Sequence, residues 1–331
     1  MKPAASITLL GIGFLGLALL HLAAGARTAS LSDVWSALTA YDRKNYLHTV
    51  IVLQRLTRLA VAVYAGCVLS VAGLLLQKIM RNDLVSPSTL GINSGAAAFC
   101  VAGIYFLGLS GAALFWPALL GGLAAIALTF CISGVLARGS LDPLNMVLAG
   151  AMTAMLFSSA TTFLVSLDPD AFGNLMGWLV GDIGNFDYLA LAWLWPVGVI
   201  GVAVAFALSR SIDILMLGDD QAASLGTDPR LVYGAALATA IALAISAVCV
   251  VGPIGFVGLV VPHLARLTSG EGGPANWWTC LFVGPAILTV ADLVARTLLA
   301  PRVLNVGTVM GLMGGAAFLV IIIAVMHRRR A

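Results

Sequence analysis

Very few residues in this chain could do chemistry, and their spacing limits what that chemistry is. Asp292 and Arg296 stand four apart inside an apolar stretch, so on a helix they share one face and can pair. Ionisable side chains in such a setting are costly and often functional. A proton relay is one use for them, but nearly all other carboxylates fall between the apolar stretches, and a local ion pair is the favoured reading. The stretch GPIGFVGLVVPHLAR, Gly252 to Arg266, ends in His263 and Arg266 and is broken by three glycines and two prolines. Glycine costs roughly 1 kcal/mol and proline roughly 3 in a helix interior, so this is expected to be a short, bent element beside a cavity. The four histidines (His21, His48, His263, His327) are scattered, which argues against a metal site or an acid–base constellation. The five cysteines (Cys67, Cys100, Cys131, Cys249, Cys280) lie in apolar stretches and read as small packing residues. A phosphate-cradling loop needs Gly-Lys-Ser/Thr, whereas Lys2, Lys44 and Lys78 precede Pro3, Asn45 and Ile79. The chain therefore cannot bind ATP in that way.

The elements that must position these residues are membrane helices. The chain of 331 residues is 61% hydrophobic and 9% charged, with mean hydropathy +1.05; soluble domains carry about 25% charged residues. Stretches near the length that crosses a hydrocarbon core of about 30 Å recur from end to end. They are expected near Ala5–Ala24, Leu56–Gln77, Ser88–Leu109, Ala112–Leu136, Pro143–Ser166, Tyr188–Leu208, Leu231–Val250, Gly255–Leu267, Trp277–Leu299 and Gly307–Met326. The fold class is thus an all-α polytopic membrane protein of about ten transmembrane helices, one membrane domain over 1–331. Gly/Pro-interrupted segments around Pro87 and Pro253 hint at internal duplication. With both termini inside, Lys2, Lys78, Arg81, Arg138, Arg210, Arg230, Arg266 and Arg328 to Arg330 are cytoplasmic, and Arg27, Arg43, Lys44, Arg55, Arg58, Arg296 and Arg302 are outside. The bias favours N-in, C-in. The net charge of +3 gives no indication of nucleic acid.

Small residues at Ala65, Gly66, Ser70 and Gly73 suit close helix packing, with pathway lining as the functional alternative. In the polar segment 209–230, Ile212, Leu215, Ala222, Ala223 and Leu225 interleave with Asp213, Asp219, Asp220 and Asp228. Two short amphipathic turns separated by Gly218 would offer an apolar ridge to a partner.

Several stretches resemble the permease subunits of the iron-siderophore, haem and cobalamin family of ATP-binding-cassette importers. Besides Gly252 to Arg266, they are QRLTRLAVAVYAGCVLSVAGLLLQ (Gln54 to Gln77), RNDLVSPSTLGINSGA (Arg81 to Ala96), LMLGDDQAASLGTD (Leu215 to Asp228), ADLVARTL (Ala291 to Leu298) and VGTVMGLMGGAAFL (Val306 to Leu319). Asp83, Asn305 and Ala316 stand where that family usually has proline. The resemblance implies a coupling segment at Leu215, Gly218, Ala222, Leu225 and Gly226 that docks into an ATPase. It implies that Arg55, Arg58 and Arg296 receive acidic residues of a binding protein, a task suited to the planar guanidinium fork. Gly66, Gly73, Gln77, Gly255 and Pro262 fall to the pathway or to helix packing.

The function expected is a permease subunit of an importer in the inner (cytoplasmic) membrane, translocating an iron-siderophore complex, with haem or cobalamin left open. Its partners would be two cytoplasmic ATP-binding subunits, a second permease copy or similar permease, a periplasmic or lipoprotein binding protein and the lipid bilayer. No cofactor is implied and the chain is not itself an enzyme. The alternative is an ion-coupled secondary transporter, which needs buried ion sites near the midplane.

Overall fold

A computed structural model describes residues 3–25, 28–136, 143–169, 172, 176–184, 189–270, 273–300 and 302–330. Lys2, Arg27 and Arg138 lie outside them. Helices account for nearly all of the described chain, and no strand occurs among these residues. In order they are α1 (Pro3–Ala23), α2 (Leu31–Thr39), α3 (Tyr46–Thr49), a π-helical turn (Val50–Arg55), α4 (Leu56–Ile79), α5 (Ile92–Leu107), α6 (Phe115–Leu136), α7 (Pro143–Leu167), α8 (Met176–Val180), α9 (Leu189–Leu215), α10 (Asp219–Ser224), α11 (Pro229–Val251), α12 (Val257–Ser269), α13 (Pro274–Thr297) and α14 (Val306–Arg330). Six are long and apolar enough to cross a membrane, and four shorter apolar helices join them. Each matches one of the ten expected stretches.

The core is organised around α4, which contacts α1, α9, α11, α12 and α13. Its sequence explains this. Ala62, Ala65, Gly66, Ser70, Ala72 and Gly73 are buried and leave no bulk to hold neighbours away. At Gly66 the backbone of Gly284 and Pro285 closes in, and a β-carbon there would lie 2.6 Å from the Gly284 carbonyl carbon. At Gly73 the Gly258 backbone comes closer still. The packing reading of both glycines is thus the one their surroundings match. A second group of α5, α6 and α7 meets α4's group through α11.

Both interrupted segments are breaks in helices, and they meet. Between α11 and α12 the chain turns at Gly252 (φ 74°) and Phe256 (φ 67°); between α4 and α5 it turns at Arg81 (φ 46°) and Gly91 (φ 80°). A β-carbon on Gly258 would sit 2.9 Å from Cδ of Pro87, and the Asn93 side-chain amide donates to the Ile254 carbonyl at 3.3 Å. The expected bent element is α12, thirteen residues long with buried Pro262 inside it.

Helix α2 is a short amphipathic element. A reciprocal capping box joins Ser30 and Asp33. The Ser30 hydroxyl and backbone N–H donate to Asp33 Oδ2 at 2.6 and 2.9 Å, holding that carboxyl below the ordinary carboxylate range.

Candidate functional site

Two polar clusters lie at opposite ends of α4, whose 24 residues span about 36 Å at 1.5 Å each. The first surrounds the 209–230 segment. Sequence spacing suggested two short turns there, but α9 runs on through Ser209 and ends only at Leu215. Its apolar face, Leu208, Ile212 and Leu215, keeps helical spacing, and Ile212 and Leu215 are buried. The chain then turns at Gly218 (φ 125°) into α10. Asp219 and Asp220 occupy the first turn of α10, where carboxylates oppose the helix dipole. The helix closes in a Schellman arrangement, with the Thr227 N–H on the Ala222 carbonyl and Gly226 (φ 81°) on Ala223, both at 3.0 Å. Asp228 then caps α11, accepting from the N–H groups of Arg230 and Leu231.

This geometry corrects the expected ridge. Leu215 and Ala222 face inward and cannot touch a partner, because the helical period turns them to the core. The outward apolar residues are Leu225 (62% exposed), Leu217 (60%) and Met216 (45%). Met216 and Leu217 were missed in the sequence; an apolar pair directly before a glycine was the available signal. Gly218 and Gly226 flank α10 with open space around them, so positive φ rather than crowding is what calls for glycine.

The end of α4 grips this segment. Lys78, buried, forms an ion pair with Asp213 of α9 and stands 5.5 Å from the Trp277 ring centre. Arg81 Nη2 donates to the Leu215 carbonyl (2.8 Å), Asp219 Oδ1 (2.8 Å) and the Tyr233 hydroxyl (3.2 Å). Beside them Gln77 donates to the Gly258 and Leu259 carbonyls at 3.2 and 3.3 Å and accepts from Arg266 Nη1 at 2.8 Å. Gln77 thus joins α4 and α12, and Pro262 lies buried within α12. Gly255 has no atom within 4 Å of its β position, so it is not a packing contact.

The second cluster is at the other end of α4. Asp292 is fully buried and accepts from His21 Nε2 (2.7 Å) and from Arg58 Nε (3.0 Å), with Arg58 Nη2 also on it. Arg296 Nε approaches it to 3.0 Å as an ion contact. Because the carboxylate only accepts, His21 carries its proton on Nε2. Arg55 donates to the Leu22 and Ala23 carbonyls, both at 2.8 Å, and Arg296 reaches the His21 and Ala24 carbonyls at 3.2 and 3.4 Å. The expected Asp292–Arg296 pair is therefore present, but as one edge of a network joining α1, α4 and α13. Here the docking-patch expectation needs correction. Arg55 and Arg58 are 4% and 7% exposed, and Arg296 is similarly covered. A buried cation must be paired or solvated by carbonyls, and these guanidinium groups are turned inward to meet that need rather than offered to a binding protein.

A cavity of about 580 Å³ opens beside the first cluster, with Arg81, Asp219, Arg230 and Tyr233 in its wall. An open groove of about 1040 Å³ lies between α4, α9 and α13, with Leu59, Val63, Val68, Val202 and Phe206 in its wall. Its lining is almost wholly apolar, as expected of a surface facing acyl chains. Among the described residues no group of His, Cys, Asp or Glu could hold a metal ion.

Comparison with known proteins places this architecture. The model of the FecCD transport family matches residues 13–324. The YfiZ siderophore transport system permease protein of Bacillus subtilis is 34% identical over 90% of this chain and 89% of its own length. The Fe(3+) dicitrate transport system permease protein FecD of Escherichia coli is 30% identical over 95% and 96%, and the ferric enterobactin permease FepD of the same organism is 32% identical over 92% and 90%. Among solved structures, an inward-facing metal-chelate type ABC transporter superposes with a TM-score of 0.82 at 25% identity, covering 97% of this chain and 99% of that one. With a family match over nearly its whole length and relatives above 30% identity, this multi-pass membrane chain belongs to the FecCD transport family.

Proposed function

We propose that this chain is the membrane permease subunit of an ATP-binding-cassette importer that carries a ferric chelate, of the siderophore class, into the cytoplasm. The observation that carries the reading is the 209–230 segment. A six-residue helix stands between two positive-φ glycines and beside outward Met216, Leu217 and Leu225, on a chain with no nucleotide-binding loop of its own. That is a surface built for a separate ATPase. Two ATPases, a second permease copy and an external binding protein complete the assembly. The termini and the 209–230 segment lie on the cytoplasmic side of the inner membrane. Membrane permeases named for siderophore, citrate and enterobactin transport among the relatives support the ligand class. The pathway is formed between two copies, and ATP-driven closure of the ATPases moves α10 and, through it, the helices.

The reading is tested by uptake of ferric trihydroxamate, catecholate and citrate complexes into vesicles that hold the chain with its ATPase and binding protein and no ion gradient. Import of one of them that stops when ATP is withdrawn is expected. Import that ignores ATP and follows a proton gradient would replace the reading with ion-coupled transport, for which the buried His21–Asp292 contact is the residue pair to pursue.

A second expectation concerns the coupling helix. Replacing both Gly218 and Gly226 with valine forces β-branched residues into φ of 125° and 81°, at about 1–3 kcal/mol each. No collision follows, since both sites are open. The double variant should insert and assemble normally while ATP hydrolysis proceeds without import. Parental uptake together with parental ATPase stimulation would remove α10 from the coupling role.

A further inference from the structure

The turn that ends α4 contains a residue with the wrong backbone for its type. The Asn82 N–H bonds the Gln77 carbonyl at 3.1 Å and the Arg81 N–H bonds Lys78 at 3.2 Å, the pattern of a Schellman cap. Its left-handed position is normally glycine. Here it is Arg81, at φ 46°, one of two non-glycine residues with positive φ among those described. A side chain held in this way is retained for what it reaches.

What it reaches spans a hinge. One guanidinium nitrogen is shared among the Leu215 carbonyl, at the end of α9, Asp219 Oδ1, at the start of α10, and the Tyr233 hydroxyl of α11. Tyr233 in turn lies 3.3 Å from the same Asp219 oxygen. The three-residue link from Met216 to Gly218 between α9 and α10 is thus bridged on both sides by a residue that belongs to neither helix. One turn back along α4, Lys78 holds Asp213 on α9, and Asp213 also accepts from the Gly273 N–H at 3.3 Å, just before α13. Arg81 and Asp219 are half exposed, so their Coulomb attraction is screened and small. The contribution of the fork is geometric: three acceptors on three elements are fixed to the end of one helix.

We propose that Arg81, supported by Lys78, is the positioning residue that fastens the coupling helix to α4, so that a displacement of α10 is delivered to the central helix instead of being absorbed at Gly218. This rests on the reading of 209–230 as the ATPase-docking segment. From there the path is α4 itself, a helix closed on Gly258 and Gly284 by backbone contact and anchored at its far end by Arg58 on Asp292. Packed helices of this kind shift as units.

Arg81→Gly separates this role from a structural one. Glycine is the favoured residue at that backbone position, so the cap should survive or improve while the fork is lost. In proteoliposomes holding the permease, its ATPase and its binding protein, with the ferric chelate the parent imports as probe, uptake should fall about tenfold or more. ATP turnover should stay within twofold, and the melting temperature should not fall. Asp219→Ala should have a smaller effect of the same kind, and the double variant should be no worse than Arg81→Gly alone, as members of one network are not additive. Docking is read independently by cross-linking Leu225→Cys to the ATPase subunit. A cross-link preserved in Arg81→Gly, with lost uptake, supports the inference. Preserved cross-link and uptake within twofold of parental overturn it while leaving the docking reading in place. Absence of any cross-link in the otherwise unaltered complex overturns the docking reading itself.

Discussion

Asp292→Asn is expected to be the most damaging single change of charge in this chain. The carboxylate is fully buried and is the acidic partner of Arg58, Arg296 and His21 together. Removing one member of a buried ion pair costs about 3–5 kcal/mol, because the partner stays buried without compensation. Here two guanidinium groups would be left side by side. The backbone carbonyls of His21, Leu22, Ala23 and Ala24 that help to hold Arg55 and Arg296 belong to the end of α1, so the loss should loosen α1 from α4 and α13. Purified protein in detergent should melt several degrees lower, and proteolysis should begin near residues 22–25. His21→Ala leaves both arginines on the carboxylate and removes one hydrogen bond to a charged group, a cost of about 1.5–3 kcal/mol. The order Asp292→Asn worse than His21→Ala is the discriminating result. Equal melting of Asp292→Asn and the parent would show that the cluster does not hold α1.

The same cluster shows where the sequence stops being readable. Counting basic residues by side put Arg55, Arg58 and Arg296 at the outer face and took their guanidinium groups to be offered outward. Arg55 and Arg58 are three apart across the end of a π-helical turn (Val50–Arg55), and that turn widens the helix just where they must both face α1 and α13. No local pattern signals a π turn. His21 could not be assigned to Asp292 either, since the two are 271 positions apart and nothing in their neighbourhoods links them. Helix number, by contrast, was legible, because apolar length is a direct consequence of bilayer thickness. The end of α9 was legible too, and was misread. Leu208, Ile212 and Leu215 continue the helical period, but Ser209, Arg210, Ser211 and Asp213 between them resemble a loop. A helix that leaves the membrane keeps its inward face apolar and makes only its outward face polar, so periodicity should have outweighed polarity. Gly226 takes the left-handed conformation that closes α10, and Gly218 stands at the start of that helix.

Gly73→Ala is expected to fail although it adds a single methyl group. The new β-carbon would overlap the carbonyl of Gly258, and backbone cannot step aside as a side chain can. Overpacking ordinarily costs about 1–3 kcal/mol through rotamer changes. Here relief requires α4 and α12 to separate, so the loss should lie at or above the top of that range. Their separation would also break the Gln77 bonds to the Gly258 and Leu259 carbonyls, and it would displace Pro87, which packs on Gly258 from the other interrupted segment. Both breaks in the chain are therefore referred to one point of contact. Gly234→Ala on α11 is the control, because nothing lies within 4 Å of its β position, and alanine there should raise helix propensity and leave melting unchanged or higher. Yield of folded protein on gel filtration and melting in detergent read both variants. If Gly73→Ala and Gly234→Ala behave alike, α4 and α12 are not in backbone contact, and the small residues of α4 line open space instead of closing the core.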